Sequence, residues 1–282
     1  MVRPLPPTGH EPPAGFDTAH VHLQLLGEAH RFAVTVPLGP RRPIELLPAA
    51  REFTTQATAI AVRKAREQGR EISCKAHCGA CCRQLVAISV LEAQALAELV
   101  AGLPRDRQRA LRERFASGIV RLEQAGLLDP RARAGDRGLI AGADGERRAQ
   151  IHEVSRRYFE LRIPCPFLEA ESCSIHPDRP IVCREYHVSS PAERCAELYH
   201  AVIEKVEPPL HMSNALARTA ARFAGARERT LPLILALEWM ERQGGNLDQT
   251  HDGLLMFKDL LDGIDRENQK PFEERGGTQA GS

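Results

Sequence analysis

The reactive side chains of this sequence are concentrated in two places. CKAHCGACC, residues 74–82, puts Cys74, Cys78, Cys81 and Cys82 into nine positions, while Cys165, Cys173, Cys183 and Cys195 fall in a second segment; these eight are all the cysteines of the chain. Small buried thiols that serve only as core residues would be scattered through the helices instead. Thiolate is a soft ligand, and sets of four suit tetrahedral Zn²⁺ or an iron–sulfur cluster, whereas magnesium and calcium prefer oxygen. Zinc or iron, as single ions or as an iron–sulfur cluster, is therefore the expected cofactor.

The adjacency of Cys81 and Cys82 constrains that chemistry. Neighbouring side chains diverge, so two in a row do not both reach one ion without strain. Either one of the pair is spare or there are two centres, and eight cysteines would supply two sets of four, with ligands interleaved from both segments. Four thiolates around one zinc leave a net charge of about −2. Lys75, Arg83, Arg179 and Arg184 flank the ligands and either offset that charge through bonds to sulfur or tie down loop carbonyls. Pro180, at the first turn of a short helix, would direct Cys183 inward. Cys195 has a second reading, because Cys195, Leu198, Val202 and Val206 recur at helical spacing and could form a core face.

The elements that must position these residues are mostly helical. Val21, Leu23 and Leu25, then Phe32, Val34 and Val36, alternate with polar residues on either side of Gly27, which predicts a β-hairpin. A helix over about 47–68 stops at Gly69 and delivers the chain to Cys74. Ser89 and Glu92 form a capping-box pattern before a helix with Leu96, Leu99, Val100 and Leu103 on one face. Leu111, Phe115, Ile119 and Leu122 define the next helix, whose arginine-rich remainder is expected to be solvated. The glycine-rich stretch 129–146 reads as a loop. Ile151, Val154 and Tyr158 predict a further amphipathic helix, ended by Pro164 just before Cys165. Three helical stretches follow.

The fold class is therefore mainly α, a helical domain around an irregular cysteine-rich centre with a small N-terminal β-hairpin. The expected divisions are a disordered proline-rich head (1–16), the hairpin and linker (17–45), the cysteine-cluster domain (46–206), a C-terminal helical region (207–263) and a disordered tail (264–282).

Composition narrows the function classes. A chain of 282 residues with 43% hydrophobic and 27% charged residues can bury a sizeable core. Its formal charge is +1, from 38 basic and 37 acidic residues, so no global field draws it to nucleic acid or an anionic membrane. The N-terminus has no apolar run of the kind a secretory signal or anchor needs, and no stretch reaches the length of a membrane span. A cytoplasmic location follows as an expectation. In that reducing compartment clustered cysteines bind metal or do redox work rather than form disulfides.

At the second segment a family resemblance emerges. CPFLEAESCSIHPDRPIVCREY together with CGACC, residues 78–82, resembles the YkgJ-type cysteine-cluster family, described as a zinc- or iron-chelating domain and named for a C-x-x-C-x-x-C-C motif. The resemblance spans roughly residues 70–195. Two positions depart from it: three residues rather than two separate Cys74 from Cys78, and His176 stands where tyrosine is expected, which makes it a candidate extra ligand or a surface histidine.

The resemblance implies a metal-chelating protein holding its ion through Cys74, Cys78, Cys81, Cys82, Cys165, Cys173, Cys183 and Cys195. An alternative is an iron–sulfur enzyme related to the flagellin lysine N-methylases, which look similar in this cluster and use S-adenosylmethionine. Against it, the sequence has no glycine-rich strand-to-helix turn and no recognisable general base, so catalytic residues are not assigned. CKAHCGAC also matches the C-x3-C-x2-C spacing of radical S-adenosylmethionine enzymes. Ala80, however, replaces their aromatic residue, and alternating strands are lacking downstream. Cys78 and Cys81 form a C-x-x-C without the βαβ context of thiol redox domains.

Overall fold

The computed structural model describes residues 12–139, 147–226, 230–243 and 247–269. Residues 1–11 of the expected head (1–16), the end of the glycine-rich loop (140–146) and residues 270–282 of the expected tail lie outside the described residues.

Helices dominate, and the strands form only short antiparallel pairs, so the fold is mainly α with an N-terminal hairpin. That hairpin joins β1 (Phe16–Leu25) to β2 (Glu28–Pro37), with Val21 opposite Phe32 and Ala19 opposite Val34. Leu26 (φ 52°) and Gly27 (φ 85°) both adopt left-handed backbone, the two-residue turn whose twist matches the flanking strands. The alternation holds on β2, where Phe32, Val34 and Val36 are buried against the helices.

After the two-residue β3 (Pro40–Arg41), α1 (Leu47–Glu67) follows and packs on β2, with Phe53 fully buried. Burying a side chain of that size is worth about 1.5–3 kcal/mol relative to leaving it exposed. The chain then runs as loop and turns through the first cysteine segment to β4 (Ala87–Ile88) and α2 (Val90–Ala101). The capping box forms as the spacing predicts: Ser89 Oγ accepts from Glu92 N–H while the Glu92 carboxylate accepts from Ser89 N–H.

Next comes α3 (Arg105–Gln124), which buries Leu111, Phe115 and Leu122. Its arginine face is exposed, as expected, and some of its arginines also make surface bonds. Arg107 and Arg114, one heptad apart, both bond Glu169, Arg114 also reaches the Pro166 carbonyl, and Arg121 donates to the Leu161 carbonyl. These bonds staple the loop bearing Cys165 to the helix.

On α4 (Arg147–Glu160), Val154 and Tyr158 are buried as expected, but Ile151 is 55% exposed. Pro164 follows α4, and the small hairpin β5 (Leu168–Glu169) and β6 (Ser172–Cys173) leads to the short α5 (Ile181–Glu185), then β7 (His187–Val188). No longer helix carries Cys195. A 3-10 turn covers Ala192–Glu197, Val202 is 71% exposed, and Val206 lies in β8 (Lys205–Val206), paired with β7. Proline at 191 and pairing with β7 override the helical spacing there.

The remaining elements are α6 (Met212–Phe223), β9 (Leu231–Pro232), α7 (Ala236–Gln243), β10 (His251–Asp252) and α8 (Gly253–Gln269). α6 packs along α8 and α2 along α7, around a core that includes Leu91, Leu96, Leu216, Ala220, Met256 and Leu260. α8 runs past the expected start of the tail at 264. Ile264 and Glu267 are buried, and Glu267 pairs with Arg218, which gives this polar segment a partner that composition does not reveal.

Candidate metal centre

The two cysteine segments, about 80 residues apart, meet in space. Cys165 N–H donates to the Cys82 carbonyl at 2.7 Å, and Arg83 makes a two-pronged ion pair with Glu171, at 2.6 and 3.0 Å. His77 Nδ1 lies 3.0 Å from Ser172 Oγ. The approach needs glycine at 79, because a Cβ there would stand 2.5 Å from Leu168 Cδ1 and 2.6 Å from the Glu171 carbonyl oxygen.

All eight cysteines are free thiols; Cys195 is buried and the other seven are half-buried. Cys74 and Cys81 pack with Cys195 in a small apolar cluster with Val188, Tyr186 and Leu198. Val188 N–H points to Cys74 Sγ at 3.4 Å, and Tyr186 Oη lies 4.0 Å from Cys195 Sγ. Cys165 and Cys173 pack on the main core instead. They are linked through Leu168, which pairs with Cys173 and donates its N–H to the Cys165 carbonyl at 2.8 Å. Cys183 sits on α5, and its N–H donates to the Pro180 carbonyl.

The thiols feel one another. Burial pushes Cys165 up to about 12, and the charges of Cys173 and Cys81 add to the rise. Cys183 is driven up by burial and then by Cys165 and Cys81, and Cys195, at about 11, by burial and then by Cys81, Cys74 and Cys78. The hydrogen bond with Cys82 raises Cys81 most, with burial next. Backbone N–H groups oppose this: those of Phe167 and Ile175, each two residues beyond its cysteine, favour the thiolate of Cys165 and Cys173, and that of Val188 does so at Cys74. N–H groups aimed at sulfur are what a thiolate-bound ion needs around it.

The flanking cations divide between the two roles expected of them. Arg184 bonds the carbonyls of Arg179 and Pro177 and Arg83 bonds Glu171, so carbonyl and ion-pair roles describe these two better than bonds to sulfur, and Lys75 is exposed. Arg179 donates to the carbonyl and ring of His176, while its charge also favours the thiolates of Cys74, Cys81 and Cys173. His176 is thus engaged by Arg179, and burial and that cation hold its imidazole below the usual range.

Three contributors escape a local reading of the sequence: Gly79, Tyr186 and Glu92. Buried Glu92 accepts from Ile181 N–H at 2.7 Å, so the carboxylate that caps α2 also caps the helix bearing Cys183. Glu185, pushed up to about 7 by burial, accepts from Ser213 N–H and Oγ–H and so ties α5 to the start of α6. Beside it a cavity of about 310 Å³ is lined by Tyr186, His187, Tyr199, Lys205 and His211.

Among the described residues, no three His, Cys, Asp or Glu side chains are grouped so that they could hold a metal ion. The donors the two segments bring near one another are soft thiols, with backbone N–H groups directed at Cys74, Cys165 and Cys173, and thiolate chemistry suits a soft cation. No helix among the described residues is long and apolar enough to cross a membrane. Comparison with family models, with curated proteins and with solved structures finds no match to the chain.

Proposed function

We propose that this chain is a cytoplasmic metal-binding protein that takes up zinc or iron through its cysteines. The observation that carries the reading is the convergence of two distant cysteine segments, sealed by the Cys165-to-Cys82 backbone bond and the close approach at Gly79. Cys74, Cys78, Cys81, Cys82, Cys165, Cys173, Cys183 and Cys195 are the candidate ligands, and loading would draw their sulfurs inward from their present positions. The bound metal would cross-link loops that have little regular structure, so binding energy becomes folding energy. Phe167, Ile175 and Val188 N–H groups would then hold the thiolates, and Arg179 would offset their charge.

Metal and acid-labile sulfide are to be measured on protein purified without oxygen. One or two metal ions per chain are expected, and Cys183→Ser is expected to lower the metal content and speed proteolysis of the cysteine loops. Unchanged stoichiometry in Cys183→Ser would remove Cys183 from the ligand set, and a metal-free parent chain that refuses zinc and iron would sink the reading. Alkylation provides a second check: thiols in the loaded protein should resist iodoacetamide until a chelator is added.

A further inference from the structure

We infer that the cavity beside Glu185 is a binding site for a small aromatic carboxylate, its ring held among Phe159, Tyr186 and Tyr199 and its carboxylate at Lys205. The inference does not rest on the metal-binding reading and uses a different set of side chains.

Separate parts of the chain wall this cavity, and each is fixed by contacts of its own. Pairing of β7 with β8 sets His187 opposite Val206 and Val188 opposite Lys205, and Lys205 Nζ stands 5.7 Å from the centre of the Tyr186 ring. Gln84 Nε2 donates to Tyr186 Oη at 3.4 Å. From α4, the buried Phe159 ring meets Tyr199 edge-on at 5.4 Å, and His152 does so at 5.5 Å. The carboxylate of buried Glu185 is taken by Ser213 N–H at 3.0 Å and Ser213 Oγ–H at 2.5 Å. The walls are thus preformed. Their volume of about 310 Å³ lies at the small end of the range for small-molecule sites, so the occupant is small.

The chemistry of the walls selects the ligand. Aromatic side chains on several sides of a narrow space favour a flat ring, which stacks on one and meets another edge-on. Lys205 brings a half-buried cation to that space. Burial holds its ammonium below the usual range, while the charge of exposed Glu207 favours it. A carboxylate beside Nζ adds to that support and gains a charge-assisted hydrogen bond. Glu185 does not compete for the lysine, because Ser213 occupies its oxygens. His187, whose ring donates to the Glu185 carbonyl, and His211 add polar edges that orient the ligand.

The test is to titrate the full chain with benzoate, and separately with benzamide, its uncharged analogue of the same shape, following backbone amide shifts by NMR. Benzoate should bind more tightly than benzamide and shift His187, Tyr199, Lys205 and Ser213. Lys205→Met keeps most of the apolar stem and should weaken benzoate by about ten-fold, roughly one charge-assisted bond, while leaving benzamide unchanged. Tyr199→Ala should weaken both probes. Equal affinity of the parent for benzoate and benzamide, or a Lys205→Met protein that binds benzoate as the parent does, overturns the carboxylate assignment. Shifts confined to other residues, or no shift at about 10 mM of either probe, overturn the site. If Lys205→Met fails to fold by circular dichroism, the ratio of the two affinities in the parent decides. A chain that takes up no metal but binds benzoate in this cavity removes the metal-binding reading and leaves this one standing.

Discussion

The carboxylate of Glu92 accepts from three donors: Ser89 N–H at 2.8 Å, Ser89 Oγ at 2.8 Å and Ile181 N–H at 2.7 Å. Burial pushes its carboxyl up, and these donors pull it back toward the anion. Glu92→Ala would orphan buried N–H groups at the starts of both α2 and α5. A buried donor left without a partner costs about 1–3 kcal/mol, so the midpoint of urea unfolding should fall measurably. Glu92→Gln retains an acceptor oxygen and should lose less. Equal losses in the two variants would mean that the side chain's volume, rather than its acceptors, matters. The capping role of Glu92 is legible in the sequence because Ser89 lies three residues away. Its second role is not, since Ile181 is 89 residues distant and leaves no local pattern. His176 shows the converse: its type and place suggest a ligand, but the nearby Arg179 engages it, and that competition is visible only in three dimensions.

At the scale of elements, the first cysteine turn docks on the β5–β6 hairpin through Gly79. An added Cβ would meet the Glu171 carbonyl at 2.6 Å, and backbone cannot swing aside as a side-chain tip can. Gly79→Ala should therefore push the two segments apart, costing about 1–3 kcal/mol and loosening metal uptake. Gly118→Ala provides the comparison. Its nearest obstacle is the Ile234 Cδ1 methyl at 2.6 Å, the end of a flexible side chain, so it should be tolerated better and leave metal affinity unchanged. The unfolding midpoint and zinc titration of both variants check this, and a Gly79→Ala protein that binds zinc as the parent does would show that the docking is not needed for the site. The hairpin of β1 and β2, α1 and the α2 cap are legible because alternation, helix formers and a capping box all act within a few residues. The turn around Cys195 is not, because strand pairing with Lys205 and Val206 overrides a helical spacing. The arginines of α3 are a solvated face as the spacing suggests, but their bonds to Glu169 and the Pro166 carbonyl come from another part of the chain and leave no local pattern.

For the whole molecule, the apolar core and the cysteine centre make different demands. The core of α1, α2, α6, α7 and α8 is closed by apolar packing and needs no ion. The loops between α1 and α2 and between α4 and α6 hold the cysteines with short turns, two-stranded pairs and ion pairs, so chelation should destabilise these loops before it unfolds the helices. Hydrogen exchange in the presence and absence of a chelator should locate the change in residues 70–86 and 161–206. Proton linkage is the second whole-molecule consequence. Burial and mutual repulsion hold Cys165, Cys183 and Cys195 above the ordinary thiol range, so the metal-free protein carries these groups as thiols at neutral pH. Zinc binds the thiolates and must displace their protons, and lower pH therefore favours the metal-free form. Apparent zinc affinity should rise with pH between about 6 and 8, by about ten-fold per unit for each proton released. Calorimetry in buffers of different ionisation enthalpy counts those protons directly. Release of several protons per zinc fits thiol ligation, whereas pH-independent uptake without proton release would place the zinc on other groups and remove the cysteines from the binding reaction.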